Sequence, residues 1–197
     1  MADKQNWLER VRAGQPFTMI DWEFLDAVFK GQAKATQYNE IPTGEFDRRS
    51  ALLGELFGKV GDNVVVQSPV RVDVGFHIEI GDGSFINMNC TLLDTYPIRI
   101  GRNVQIGPNC AFYPVGHPVR ASERHFADPD SGEGKSITNG SAIIIEDDVW
   151  LGGNVIVLPG VTIGARSTIG AGSVVTKSVP PDVFAAGNPC RVIKQLD

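Results

Sequence analysis

The feature that most constrains this chain is a period of six residues. Ile145, Leu151, Val157, Ile163, Ile169 and Val175 form an unbroken apolar series. Four places after each comes a small or β-branched residue: Val149, Val155, Val161, Ser167, Ser173 and Val179. The place just after the apolar residue is often glycine, at Gly152, Gly164 and Gly170. An earlier series runs Val60, Val66, Val72, Ile78. It restarts two residues late at Ile80, Ile86, Leu92, Ile98, and again at Ile100, Ile106, Phe112. The spacing predicts turns of 20 residues first (Val60 to Ile80) and of 18 later (Ile145 to Ile163). An α-helix repeats its faces every 3.6 residues, so such a series would spiral around it. Simple alternation fails too, because glycine holds one phase. A solenoid accounts for the period: three short strands make a triangular turn, and turns stack at about 4.8 Å. The apolar residue points inward, the small one fills a corner, and the Gly or Asn positions allow the bend between faces. Cys90 and Cys110 fall on the small corner position and read as buried small hydrophobes.

The pattern begins near Val60. The first 59 residues hold four Val plus Ile and the remaining 138 hold 33. The earlier segment reads helical. Trp7, Leu8 and Val11 share one side of a short helix that Gly14 ends. Thr18 and Asp21 form a capping box for a second helix, with Trp22, Leu25, Val28 and Phe29 as its apolar side. A third, from about Thr43 to Phe57, buries Phe46, Leu53, Leu56 and Phe57 and stops at Gly58. The expected organisation is therefore a helical segment over 1–59 and a solenoid over 60–197.

Composition narrows the partners. A net charge of -5 argues against nucleic acid or an anionic membrane as the main partner. Three cysteines without a CxxC imply neither a disulfide framework nor a cysteine zinc site. No apolar run is long enough to span a bilayer, and Met1–Arg12 is too polar for a signal peptide. A cytoplasmic protein is expected.

The rhythm breaks immediately after His117. Residues 118–142 carry no repeat and many charges, prolines and glycines, before Ile143-Ile144-Ile145 resumes it. A long excursion from a rigid solenoid is rarely filler. It is read as wrapping over a neighbour to form a pocket wall, with His117 held at its root.

The stretch Ile163-Gly164-Ala165-Arg166-Ser167-Thr168-Ile169-Gly170-Ala171-Gly172-Ser173 resembles the hexapeptide-repeat acyltransferases. Pro97-Ile98-Arg99-Ile100-Gly101, Gly116-His117-Pro118, Val149-Trp150-Leu151-Gly152-Gly153 and Ala186-Gly187-Asn188-Pro189-Cys190-Arg191-Val192-Ile193 narrow the resemblance to the maltose and galactoside O-acetyltransferases. It is strong over 50–197 and weak before, through Arg12-Ala13-Gly14 and Tyr38-Asn39. It implies a mainly β fold, a left-handed parallel β-helix with an N-terminal helical segment. The implied activity is acetyl transfer from acetyl-CoA to a sugar hydroxyl, in a homotrimer with sites between subunits and without a metal.

Imidazole chemistry suits this activity. A neutral His117 takes a proton from the hydroxyl as it attacks the thioester, and the growing negative charge needs an N–H donor, which the resemblance places at Gly153. By the same resemblance Ala171 gives a backbone contact to the pantetheine arm. Thr176 and Lys177 then lie near the arm and phosphates, and Arg191 and Lys194 near the adenosine phosphates. Trp150 packs on the pantetheine, on a neighbouring subunit or in the core. Asp73, Asn87 and Asp94 stand where the family faces its sugar. Met19 and Val28 replace an aspartate and arginine of the galactoside enzyme, and Asp21 substitutes only after a shift. The excursion is longer than in those enzymes and adds Arg120, Arg124, His125, Asp128 and Asp130. Two alternatives stay open: a xenobiotic or serine O-acetyltransferase on the same scaffold, and a γ-type zinc carbonic anhydrase using His77, His117 and His125. A non-catalytic scaffold is a further one.

Overall fold

The six-residue series becomes three ladders of parallel strands in the computed structural model, which describes residues 6–18, 22–127 and 134–197. Met19, Asp21, Asp128 and Asp130 lie outside those residues. Face 1 stacks Lys59–Val60, Ile78–Ile80, Ile98–Ile100, Ile143–Ile145 and Thr162–Ile163. Face 2 stacks Val65–Val66, Phe85–Ile86, Gln105–Ile106, Trp150–Leu151, Thr168–Ile169 and Val183–Gly187. Face 3 stacks Val70–Val72, Cys90–Leu92, Ala111–Phe112, Ile156–Val157 and Val174–Val175. The chain passes from face 1 to 2 to 3, making five full turns and the start of a sixth.

The registers are those of the apolar series. Val60, Ile80, Ile100, Ile145 and Ile163 align on face 1. Val66, Ile86, Ile106, Leu151 and Ile169 align on face 2. Val72, Leu92, Phe112, Val157 and Val175 align on face 3. All but Val60 are buried, and Cys90 and Cys110 are buried with them. The departures from six fall at the corner joining face 3 to face 1. Val72 to Ile80 and Leu92 to Ile100 each take eight residues where Val157 to Ile163 takes six, and the excursion leaves from the same corner. We call the corners first (face 1 to 2), second (2 to 3) and third (3 to 1).

Glycine and asparagine turn out to do different jobs. The left-handed backbone of the bend belongs to Asn63, Asn89, Asn103, Asn109, Asp148, Asn154, Arg166 and Asp182, with Gly83, Gly160 and Gly172 at the same phase. Asparagine and aspartate tolerate that conformation. The glycines just after the apolar residue have ordinary φ. They are there because turns stack too closely for a Cβ: one at Gly81 would lie 2.7 Å from the Gly101 carbonyl carbon, and one at Gly152 2.7 Å from the Ala171 nitrogen.

The helices seal the first turn. They are α1 (Trp7–Arg12), α2 (Trp22–Glu40) and α3 (Phe46–Leu56). Phe17–Thr18 is a short strand, as an aromatic and a β-branched residue permit, and the Thr18–Asp21 capping box extends outside the described residues. The inward side of α2 is Phe24, Gly31, Ala35 and Tyr38, while Trp22 and Phe29 are 78% and 60% exposed. Gly31 lies against the solenoid, where a Cβ would sit 2.5 Å from the Asp73 carbonyl oxygen. In α3, Phe46 is exposed and Arg49 buried, and extended Phe57 rather than Gly58 ends the helix. Gly58 answers to the Phe76 carbonyl pressed against it. The first turn would otherwise show bare strand edges. Asn39 bonds both the N–H and the carbonyl of Val70 at 2.9 Å, as a neighbouring strand would. The Tyr38 hydroxyl and the Arg49 guanidinium donate to the Val66 carbonyl.

The excursion has its own structure. Helix α4 (Ala121–Arg124) leads into His125–Ala127, which pairs antiparallel with Gly134–Gly140. The latter strand also pairs with Phe17–Thr18 on one side and Val115–Gly116 on the other. The excursion thus folds back onto its own chain. At the far end, Val183–Gly187 and Cys190–Gln195 form an antiparallel hairpin.

Candidate active site

The third corner holds the histidine. Gly116 pairs with Asn139, which brings His117 beside the excursion strand. The His117 Nδ1 lies 2.7 Å from the Ile137 carbonyl oxygen. A carbonyl only accepts, so Nδ1 carries a proton, and in the neutral ring Nε2 then has the lone pair. The side chain is exposed. This is the tautomer a proton acceptor needs, fixed by a backbone carbonyl. Backbone carbonyls leave no mark in a sequence, so Ile137 was not legible there.

One and two turns earlier on the same corner a carboxylate network forms. Asp94 is fully buried. Its Oδ1 accepts from the N–H of Asp73 at 3.0 Å and of Val74 at 3.1 Å, and its Oδ2 from that of His77 at 3.2 Å. Burial pushes Asp94 up to about 7, with the Asp73 charge adding to the rise and the N–H groups of Gly75, His77 and Asp73 opposing it. Asp94 clasps the 73–77 turn, where the two extra residues leave N–H groups off the ladder. Asp73 is half-buried and takes the Thr95 hydroxyl at 2.7 Å. Burial raises Asp73, and the Thr95 hydroxyl opposes the rise. Thr95 was not singled out from the sequence; its signal is adjacency to Asp94 on a turn lengthened by two. The His77 Nδ1 lies 3.1 Å from the carbonyls of Asp94 and Thr95, and burial lowers its pKa.

The second corner is a strip of nearly bare backbone. Asn87, Gly107, Gly152, Gly170 and Ala186 follow the aligned residues of face 2 and stack along it. A Cβ at Gly107 would lie 2.6 Å from the Gly153 nitrogen. The glycines thus leave the N–H groups of Gly153 and Ala171 approachable, and no described residue accepts from either. Asn87 is half-buried, with its Oδ1 on the Met88 N–H at 2.8 Å. Arg191 pairs opposite Ala186 at the end of this strip, and Lys194 opposite Phe184 on face 2. Both are exposed. Trp150 stands on face 2 at 56% exposure, which removes it from the core. Thr176 and Lys177 are exposed on the third corner, not the second.

One chain therefore divides the sequence-derived residues between two corners. His117, Asp73, Asp94, Thr176 and Lys177 lie on the third, and Asn87, Gly153, Ala171 and Arg191 on or beside the second. Face 3 separates them. Six residues from Asn87 to Leu93 at about 3.3 Å each make roughly 20 Å. A cleft of about 600 Å³ is on neither: it lies along face 1 and the first corner, between Lys59, Glu79, Arg99, Arg102, Asp147 and Arg166. Arg99 pairs there with Glu79 and Arg102 with Asp147, while Arg166 pairs with Asp182 beside it. Among the described residues no three His, Cys, Asp or Glu side chains gather to hold a metal ion.

Residues 142–177 match the bacterial transferase hexapeptide family (six repeats). The galactoside O-acetyltransferase of Escherichia coli K12 is 40% identical over 96% of this chain and 89% of its own. A maltose O-acetyltransferase structure from Clostridium difficile 630 superposes with a TM-score of 0.90 at 37% identity, covering 99% of this chain and 100% of that one. A hexapeptide-repeat acetyltransferase of Vibrio cholerae, solved with acetyl coenzyme A, does so with a TM-score of 0.85 at 38% identity, covering 98% and 100%.

Proposed function

This chain belongs to the hexapeptide-repeat acetyltransferases of the galactoside and maltose O-acetyltransferase type, and from that premise we propose that it moves acetyl from acetyl-CoA to a sugar hydroxyl with His117 as general base. The observation that carries the reading is the His117 imidazole, held through Nδ1 by the Ile137 carbonyl with Nε2 free. The acceptor oxygen attacks the thioester carbonyl while Nε2 takes its proton. Negative charge gathers on the carbonyl oxygen, and the Gly153 N–H stabilises it. The intermediate collapses, the carbon–sulfur bond breaks, and the imidazolium returns the proton to the departing thiolate. No acetyl-enzyme forms, since the cysteines are buried. Asp73, anchored by Thr95, and Asn87 face the acceptor; Asp94 sets the turn that carries Asp73. Ala171, Thr176, Lys177, Arg191, Lys194 and Trp150 serve the coenzyme.

The two halves of the site are brought together in a homotrimer, the third corner of one subunit meeting the second corner of the next. What supports this is the separation of His117 from Gly153 by a whole face. No helix among the described residues is long and apolar enough to cross a membrane. We place the enzyme in the cytoplasm, to which three unpaired cysteines are suited.

His117→Ala should lower kcat by roughly 10²–10⁴ in a thiol-release assay across mono- and disaccharides. Wild-type turnover in that variant would sink the base assignment, and activity confined to antibiotics would move the acceptor to the xenobiotic class. Refolding His117→Ala chains together with chains blocked at the second corner should regain activity, since some mixed interfaces pair two intact corners. Absence of any recovery would count against sites between subunits.

A further inference from the structure

The outward N–H groups of the second corner are aimed by something inside it. The first corner shows how. There the Gly101 carbonyl accepts from the buried Ser84 hydroxyl at 2.8 Å. The Gly101–Arg102 peptide is trans, so its N–H points the opposite way. Outside, the Asp147 carboxylate accepts that N–H at 2.8 Å. One peptide thus has a donor fixed within the wall and an anion bound without.

The second corner repeats the inner half. The buried Cys110 thiol donates to the Gly152 carbonyl at 3.2 Å, and the buried Ser173 hydroxyl to the Gly170 carbonyl at 2.5 Å. Both following peptide bonds are trans. Gly153 and Ala171 therefore turn their N–H groups outward, and here no described residue supplies the outer anion. Ser173 does more. Its oxygen accepts the Gly187 N–H at 3.0 Å, so the same side chain ties down the hairpin that bears Arg191.

We propose that Cys110 and Ser173 are positioning residues: each holds from inside the carbonyl of a peptide whose outward N–H receives acetyl-CoA. Gly153 meets the thioester oxygen and Ala171 the pantetheine arm. The inference rests on reading the second corner as the coenzyme side. Neither residue touches the reacting atoms; both act through the rigid peptide plane.

The test exchanges the two donors and removes each. Ser173→Ala should raise KM for acetyl-CoA about tenfold while kcat stays within about twofold, the loss of one well-aimed hydrogen bond and of the hairpin tie. Ser173→Cys, which keeps a donor, should recover most of it. Cys110→Val should lower kcat about three- to tenfold at unchanged KM, less than outright removal of an oxyanion donor. Cys110→Ser should stay near wild type. A purely structural role would lower Tm without splitting KM from kcat in opposite senses at the two positions. Amide exchange separates this idea from the reading beneath it. If CoA slows exchange at Gly153 and Ala171 in the wild-type protein, the coenzyme side is right. Ser173→Ala with wild-type KM, or Ser173→Cys no better than Ser173→Ala, then overturns the positioning role alone. No protection by CoA at either amide overturns both.

Discussion

The first and second corners are built on one backbone plan and end up as opposites. At the first, three outward N–H groups of the strip find a carboxylate of an adjacent turn: that of Asp62 on Asp82, that of Arg102 on Asp147 and that of Ala165 on Glu146. Arg102 and Arg166 add ion pairs with Asp147 and Asp182. At the second, the equivalent places hold Pro108, Gly153 and Ala171, which bring no acceptor. A solenoid corner is thus a row of N–H groups, and the side chains decide whether the protein fills the row itself or leaves it to a ligand. Unfilled donors at a surface cost little, because water serves them. The vacancy can therefore be kept for a coenzyme.

The largest expected effect comes from turning the second corner into the first. Ala171→Asp places a carboxylate one turn after Gly153, as Asp147 stands one turn after Arg102. It should capture the Gly153 N–H and lower kcat/KM for acetyl-CoA by about 10²–10³, with Tm unchanged or raised. Full activity would break the comparison. Ala171→Asn, without the charge, should fall between.

The third corner offers an effect of middle size. There the acid is inside, and its pKa is raised on folding to about 7 from an ordinary carboxylate value. A group raised in this way contributes stability that is present at low pH and lost as pH rises through the folded value. Wild-type Tm should therefore decline between about pH 5 and 8 from this source. Asp94→Asn should flatten the slope while lowering Tm at pH 5, since an amide cannot accept every N–H that the carboxyl does. A slope identical in the variant would mean that Asp94 does not titrate there.

The smallest effect should follow from emptying the first corner. Asp147→Asn loses an exposed, solvent-screened pair, so Tm should fall only slightly. The Arg102 N–H and guanidinium hold Asp147 below its usual value. The loss should show in full above that usual value and vanish as pH falls through the lower, folded one. Acetyl transfer should be unchanged; a tenfold loss would mean the first corner is not mere scaffold.

Much of this was written in the apolar series. Each inward residue from Val66 to Val175 took the register that its spacing dictated, because a six-residue side leaves no other way to keep the ladders aligned. His117 was legible because the rhythm stops beside it. What sequence could not give was set by close approach and by backbone. Trp22 and Phe29 had looked like the inner side of α2, yet Gly31 faces inward because only it fits against the Asp73 and Val74 carbonyls. Phe17–Thr18 is a strand only because the excursion returns beside it. The glycine phase was legible as a pattern, but its cause, contact between turns rather than bending, needed coordinates.

The gathering of all added length at the third corner has an evolutionary consequence. A turn can gain two residues or some two dozen there, and the ladders above and below still meet in register. The third corner, the proposed acceptor wall, is therefore free to be rewritten by insertion and deletion. The second corner, the proposed donor strip, where one Cβ in the wrong place stops the stacking, is not. An enzyme built this way changes what it acetylates far more readily than what it acetylates with.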